Sequence, residues 1–294
     1  MSISLTKITQ FSGHKEAIYT LVYNKVNKKV LSAGGDGYIV EWDIYGKGDG
    51  NAIADLKETI YSICIKEESN ILYAVTRSGM LHCIDLAKNT IFKKILLSSS
   101  PLFSICLKGK YIYVGDEKGS VFKLDMDHHL VSSAKFGDKS IRQIAPSADG
   151  LYLATSSNNI YEIDSSLTIL GTILGAHENS IFCCTPTEKE LWTGGRDAIL
   201  KIWQENKLNK EIKAHNLHIN SLDFNKSNSL VLSGSMDKSV KIWDSSSHNL
   251  LKVINKEKCD FHISSVNKVL WIEPNEFISC GDDRKVIYTE IDIK

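Results

Sequence analysis

Seven times along the chain a β-rich segment closes on the same short pattern. The clearest copies are LSAGGDGYIVEWD (31–43), TGGRDAILKIWQ (193–204) and LSGSMDKSVKIWD (232–244). Aligned on the tryptophan of those copies, the recurring position falls at Trp42, Ile84, Leu124, Ile163, Trp203, Trp243 and Thr289, at intervals of 42, 40, 39, 40, 40 and 46 residues. Repeats of this size correspond to four-stranded sheets that stack side by side around an axis. The expectation is an all-β fold, a seven-bladed β-propeller in which residues 1–294 form a single domain.

Within the sixth unit, alternation of apolar and polar residues resolves four strands, at 218–224, 229–234, 239–244 and 249–255. The first strands of all seven units align without a gap, from IYTLVY (18–23) to VNKVLW (266–271). The last unit runs out at KVIYTEIDIK (285–294), which supplies only a third strand, so its fourth is expected from ISLTKI (3–8). Such closure removes sheet edges that would otherwise template aggregation.

Composition narrows the setting. With 43% hydrophobic and 24% charged residues, the chain has enough apolar material for a large core. The opening MSISLTKITQFSGH has no basic stretch followed by an apolar run, and no apolar window approaches membrane-spanning length. A soluble, cytoplasmic protein with no membrane partner is expected. Seven cysteines, an odd number without zinc-ligand spacing, read as small core residues in a reducing compartment. Thirty-five basic and 35 acidic residues cancel, so no global field draws the chain onto nucleic acid.

Weaker signals imply no metal and no cofactor. His128-His129 lacks a third ligand and reads as a solvated loop, while GKGDG (46–50) lacks the rest of a phosphate-binding loop and reads as a turn between units. Asn225-Lys226-Ser227 matches a glycosylation acceptor without a secretory signal to support it. Adjacent in a strand, Cys183 and Cys184 should point to opposite faces.

Three copies share a spaced polar set: His14, Ser32, Asp36, Trp42; His177, Thr193, Asp197, Trp203; and His215, Ser233, Asp237, Trp243. The hydroxyl lies four residues before the aspartate and the aspartate six before the tryptophan in every set, with 22, 20 and 22 residues from histidine to aspartate. These four groups can satisfy one another in sequence, burying polar atoms without an unmet partner. Recurrence at repeat spacing makes the combination structural rather than a hydrolytic triad. The last unit keeps His262, Ser279 and Asp283 but has Thr289 for tryptophan; units two to four end in Ile84-Asp85, Leu124-Asp125 and Ile163-Asp164, with no aligned histidine.

The pattern resembles the WD-repeat β-propeller family, whose repeat runs from a Gly-His pair to a Trp-Asp pair, and the resemblance covers essentially the whole chain. The resemblance implies that each polar set forms a buried hydrogen-bonded chain. It also implies that the turn before each first strand and the turn between second and third strands share one face, where partners dock. By the family's pattern, the second residue of each first strand surrounds the channel mouth: Tyr19, Tyr61, Phe103, Arg142, Phe182, Asn220 and Asn267. The residue before each turn aspartate should show on the same face, giving Gly35, Arg77, Glu117, Ser156, Arg196, Met236 and Asp282, with Arg284 directly after Asp283.

Only four arginines stand against 31 lysines, and three of the four fall in these two position classes. Arginine and aromatic residues are enriched at interface hot spots and lysine is depleted. The expected function is therefore a non-enzymatic scaffold binding a protein or peptide with acidic and apolar groups, anchored on Tyr19, Tyr61, Phe103 and Phe182. An enzyme at the channel mouth is the alternative, with Glu117, Asp282 and His218 as its only candidate groups. Nucleic-acid binding through stacked rings is disfavoured by the zero net charge.

Overall fold

A computed structural model describes residues 2–46 and 50–294, so Lys47, Gly48 and Asp49 of the 46–50 turn lie outside the described residues. The chain forms seven four-stranded antiparallel sheets. Their first strands are Ile18–Asn24, Ile60–Lys66, Leu102–Lys108, Ile141–Pro146, Ile181–Pro186, Ile219–Asn225 and Val266–Glu273. Each first strand touches that of the next sheet, and the last returns to the first, so these strands ring the axis.

Burial follows strand position. Second strands are packed on both faces by neighbouring blades and read as unbroken apolar or small-residue runs: all six residues of Leu230–Ser235 are buried. Outer strands alternate instead, as in Thr90–Leu96, where every second residue faces solvent. The core lies between blades. Leu31, Ala33 and Ile39 of blade one interdigitate with Ile60, Leu72 and Ala74 of blade two, and equivalent clusters repeat around the ring.

The seventh sheet closes on Ile3–Ser12, which runs antiparallel to Lys285–Ile293 from Ile3 opposite Ile293 to Ser12 opposite Lys285. The strand is longer than the ISLTKI segment because Thr9, Gln10 and Phe11 keep pairing. Phe11 then packs its ring 6.0 Å from that of Trp42.

In blades one, five and six the tryptophan Nε1–H donates to the Ser or Thr hydroxyl at 2.7, 2.9 and 2.9 Å. The histidine Nε2 meets the same oxygen at 2.7, 2.8 and 2.7 Å, and Nδ1 meets the aspartate at 2.9, 2.8 and 2.9 Å. A neutral imidazole protonated at Nδ1 satisfies every member: indole to hydroxyl, hydroxyl to Nε2, Nδ1–H to carboxylate. Burial favours that form at His215 by lowering its pKa.

Units two to four replace the histidine, hydroxyl and indole with hydrocarbon and put Ser78, Lys118 and Ser157 at the aspartate station. Leu56, Leu97 and Phe136 take the histidine station, each donating its backbone N–H to the preceding blade as His215 does. Ala74, Val114 and Leu153 replace the hydroxyl, and Ile84, Leu124 and Ile163 replace the indole, all fully buried. Exchanging the three buried partners together leaves none of them stranded, which is why the substitution is tolerated. The turn is still tied, two residues earlier: Asp116 accepts from Lys118 N and Ser120 N at 2.9 and 2.7 Å, and Thr155 meets Ser157 at 2.8 Å.

Blade seven stops halfway. His262 meets Ser279 and Asp283 at 2.9 Å each, but the buried hydroxyl of Thr289 has no partner. Thr289→Val removes that orphan at constant shape and is expected to stabilise the chain by about 1 kcal/mol. A denaturation midpoint that stays put or falls would contradict this.

His128 differs from the solvated loop residue its neighbourhood suggests. Held at φ 68°, it accepts from the Tyr73 hydroxyl at 3.3 Å and sits edge-on to Phe92. The two aromatic side chains provide a packing site the local sequence does not reveal. Among the described residues no three potential ligands group around a metal position. All seven cysteines are free; Cys183 and Cys184 are buried in different inter-blade cores. The Asn225 amide is buried and donates to Pro274 O at 2.9 Å, leaving it no room for a glycan.

Candidate functional site

The mouth is built by a backbone irregularity repeated seven times. In every first strand the register with the second strand slips around the second residue, between Ile18 and Thr20, Ile60 and Ser62, and so on to Val266 and Lys268. A bulged residue is left out of the ladder and its side chain is re-aimed. The bulged residues are Tyr19, Tyr61, Phe103, Arg142, Phe182, Asn220 and Asn267, and all seven line one cavity of about 530 Å³ at the axis.

A second recurring bond sets the loops at the same end. Gly35, Arg77, Glu117, Ser156, Arg196, Met236 and Asp282 each donate their N–H to the carbonyl two residues before the corresponding bulge, from Ala17 O at 2.9 Å to Ser265 O at 3.0 Å. The loop residues therefore form a rim around the mouth. Arg77, Arg196 and Arg284 are exposed there and do not line the cavity; Arg142 does. Glu117 is likewise outside the lining, and Asp282 is held by the Asn267 amide at 2.7 Å.

Five of the mouth residues form a continuous π row. Tyr19 stacks on Tyr61 at 5.9 Å, Tyr61 meets Phe103 at 4.9 Å, and the Arg142 guanidinium lies 4.8 Å from the Phe103 ring and 5.0 Å from that of Phe182. His218 ends the row, edge-on to Phe182 at 5.7 Å. Arg142 thus sits within cation–π distance of two rings, a setting suited to its flat, weakly hydrated cation. Burial lowers its pKa, with Tyr61 opposing. Burial also raises the Tyr19 pKa, reinforced by Asp282.

The other side of the mouth is polar. The Asn220 amide donates to Ser265 Oγ and Val266 O at 3.0 Å, and the Asn267 amide to Ile18 O at 3.0 Å, stitching blades six, seven and one. Those amides are committed to holding the ring together, whereas the π row leaves its edges open.

The position after each bulge forms a deeper layer that the repeat pattern did not single out. Thr20 Oγ accepts from Ile63 N at 3.3 Å, Ser104 Oγ from Ile144 N at 2.8 Å, and Gln143 Oε1 from Cys184 N at 3.0 Å. Lys268 occupies the same layer in blade seven and also lines the cavity. The available sequence signal was a polar residue at this station in otherwise apolar strands.

Comparison with known proteins agrees with this architecture. The WD40 family model (WD domain, G-beta repeat) matches residues 5–43 and 206–244. The 66 kDa stress protein of Physarum polycephalum is 22% identical over 95% of this chain and 47% of its own length. Actin-interacting protein 1 of Drosophila melanogaster is 23% identical over 92% of this chain and 45% of its length. The chain thus spans about half the length of these curated relatives. Among solved structures, the WD40 β-propeller domain of Doa1 superimposes with a TM-score of 0.87 at 15% identity, covering 98% of this chain and 97% of that one. With its seven sheets, its histidine-to-tryptophan chains and these matches, the chain is a seven-bladed β-propeller that carries WD repeats.

Proposed function

We propose that the chain works as one interaction module, binding a protein or peptide segment at the channel mouth without doing chemistry on it. WD-repeat propellers are typically protein-interaction scaffolds, and one relative is named for interacting with actin. The observation that carries the reading here is the convergence of Tyr19, Tyr61, Phe103, Arg142 and Phe182 on one half-buried opening. Their rings are ordered by one another and lose little freedom on binding, which suits them to act as anchors. The rim arginines Arg77, Arg196 and Arg284 add positive charge around it, favouring a segment that carries acidic as well as apolar groups. Free buried thiols fit an intracellular setting, and among the described residues no helix is long and apolar enough to cross a membrane.

Replacing Tyr61 and Arg142 together by alanine should weaken peptide capture about 100-fold or more, since two central anchors are removed. Thermal melting should change little, because neither side chain lies in an inter-blade core. Undiminished affinity in the folded double variant would refute the mouth as the binding site.

A further inference from the structure

The layer beneath the mouth carries several side-chain donors and no carboxylate. Thr20, Ser104 and Gln143 each use an oxygen to accept a backbone N–H from the following blade. Among the described residues no other hydrogen bond engages their hydroxyl and amide hydrogens, and all three residues line the cavity, so these hydrogens can be offered to the channel. Lys268 faces the same cavity with no ion pair among the described residues and no carboxylate in the lining; outside that lining it acts on Asp223, whose carboxyl accepts from Trp271 N at 2.7 Å and is pushed up to about 6 by burial. Arg142 stands at the entrance between the Phe103 and Phe182 rings, with five N–H groups and no acceptor of its own. Donors from several blades thus converge on a narrow space bearing two positive charges.

We propose that this layer is a carboxylate well, which takes the side chain of one Asp or Glu from the bound segment past Arg142 and onto Lys268. The proposal rests on the mouth-binding reading and adds to it the group that enters the channel. A carboxylate is an acceptor with about four lone-pair sites, which complements the ammonium, the two hydroxyls and the free amide. An apolar or basic side chain would leave those donors unmet and Lys268 desolvated beside it. The flanking apolar residues of the segment would lie against the π row, so the two halves of the site recognise different parts of one ligand.

The test is selection of displayed random peptides on the wild-type chain, on Lys268→Met and on the Tyr61/Arg142 double variant, each first shown to be folded by its melting curve. Wild-type binders should share one Asp or Glu, and changing it to Asn or Gln should weaken binding about 10- to 100-fold. On Lys268→Met the acid and amide peptides should bind within about threefold of each other. If Lys268→Met does not fold, Lys268→Gln and Thr20→Val serve the same comparison, with Thr20→Val shrinking the acid preference in part.

Binders that require Tyr61 and Arg142 but share no acid would overturn the carboxylate well and leave the mouth reading standing. Binders indifferent to both variants, or a library without binders, would overturn both. Loss of binding on C-terminal amidation would overturn the assignment to a side chain.

Discussion

A chain lacking Ile3–Gln10 is expected to melt on the order of 10 °C below the full chain and to self-associate. These residues form most of the outer strand of blade seven, in register with Lys285–Ile293. Ile3 is buried with Ile287 and Ile291, and Leu5 and Ile8 pack partly against the same core. Burial of one such side chain contributes about 1.5–3 kcal/mol, so the deletion forfeits roughly 3–5 kcal/mol before the hydrogen-bond ladder is considered. It also bares the edge of Lys285–Ile293, a template for pairing with another copy. Calorimetry with light scattering checks both effects; a monomer with an unchanged transition would show that closure through this strand does not matter to stability.

Asp237→Ala should cost about 2–4 kcal/mol. The carboxylate receives His215 Nδ1 at 2.9 Å, Asn216 N and Ser239 N at 3.1 Å each, and the Ser239 hydroxyl. Alanine removes the charged acceptor from all of these donors, one of them on a buried imidazole that in turn holds Ser233, the acceptor of Trp243. Blade four provides the control. Ser157 occupies the same turn station without a histidine behind it, and Ser157→Ala should cost under about 1 kcal/mol.

The pH dependence follows from the same contacts. Burial acts against the charge on Asp237, but the bonds from His215, Ser239 and Asn216 outweigh it and hold the carboxyl well below the usual carboxylate range. With the folded value depressed, the stabilisation is fully present above the unfolded value of about 3.9 and is lost as pH falls below it. The stability gap between wild type and Asp237→Ala should therefore be constant near neutrality and shrink between about pH 4 and pH 2. Urea titrations across that range test it, and a gap that does not narrow in acid would mean the carboxylate's charge contributes nothing.

Much of this was legible in the residues. The interval of 39 to 46 residues implied the blade count, and alternation placed the four strands of unit six within a residue or two of where they lie. The position classes named Tyr19, Tyr61, Phe103, Arg142, Phe182, Asn220 and Asn267, which meet in one cavity. Hidden from the sequence were the apolar stations of blades two to four, because Leu56, Leu97 and Phe136 look like ordinary core residues until their backbone bonds align them with histidine. Also hidden was the separation of Arg142 from the other arginines: being near the same end does not tell which side chains enter the axis and which stay on the rim.

The amino-acid sequence by itself determined the local order: strand periodicity, blade spacing, and which hydroxyl, imidazole, carboxylate and indole could satisfy one another, all of which depend on short-range steps along one chain. Tertiary structure decided the site. Residues some 40 positions apart become neighbours only when the ring closes, and the bulge that turns each second residue into the mouth depends on pairing with another strand. Which backbone N–H claims the oxygens of Thr20, Ser104 and Gln143 likewise depends on how the next blade is seated.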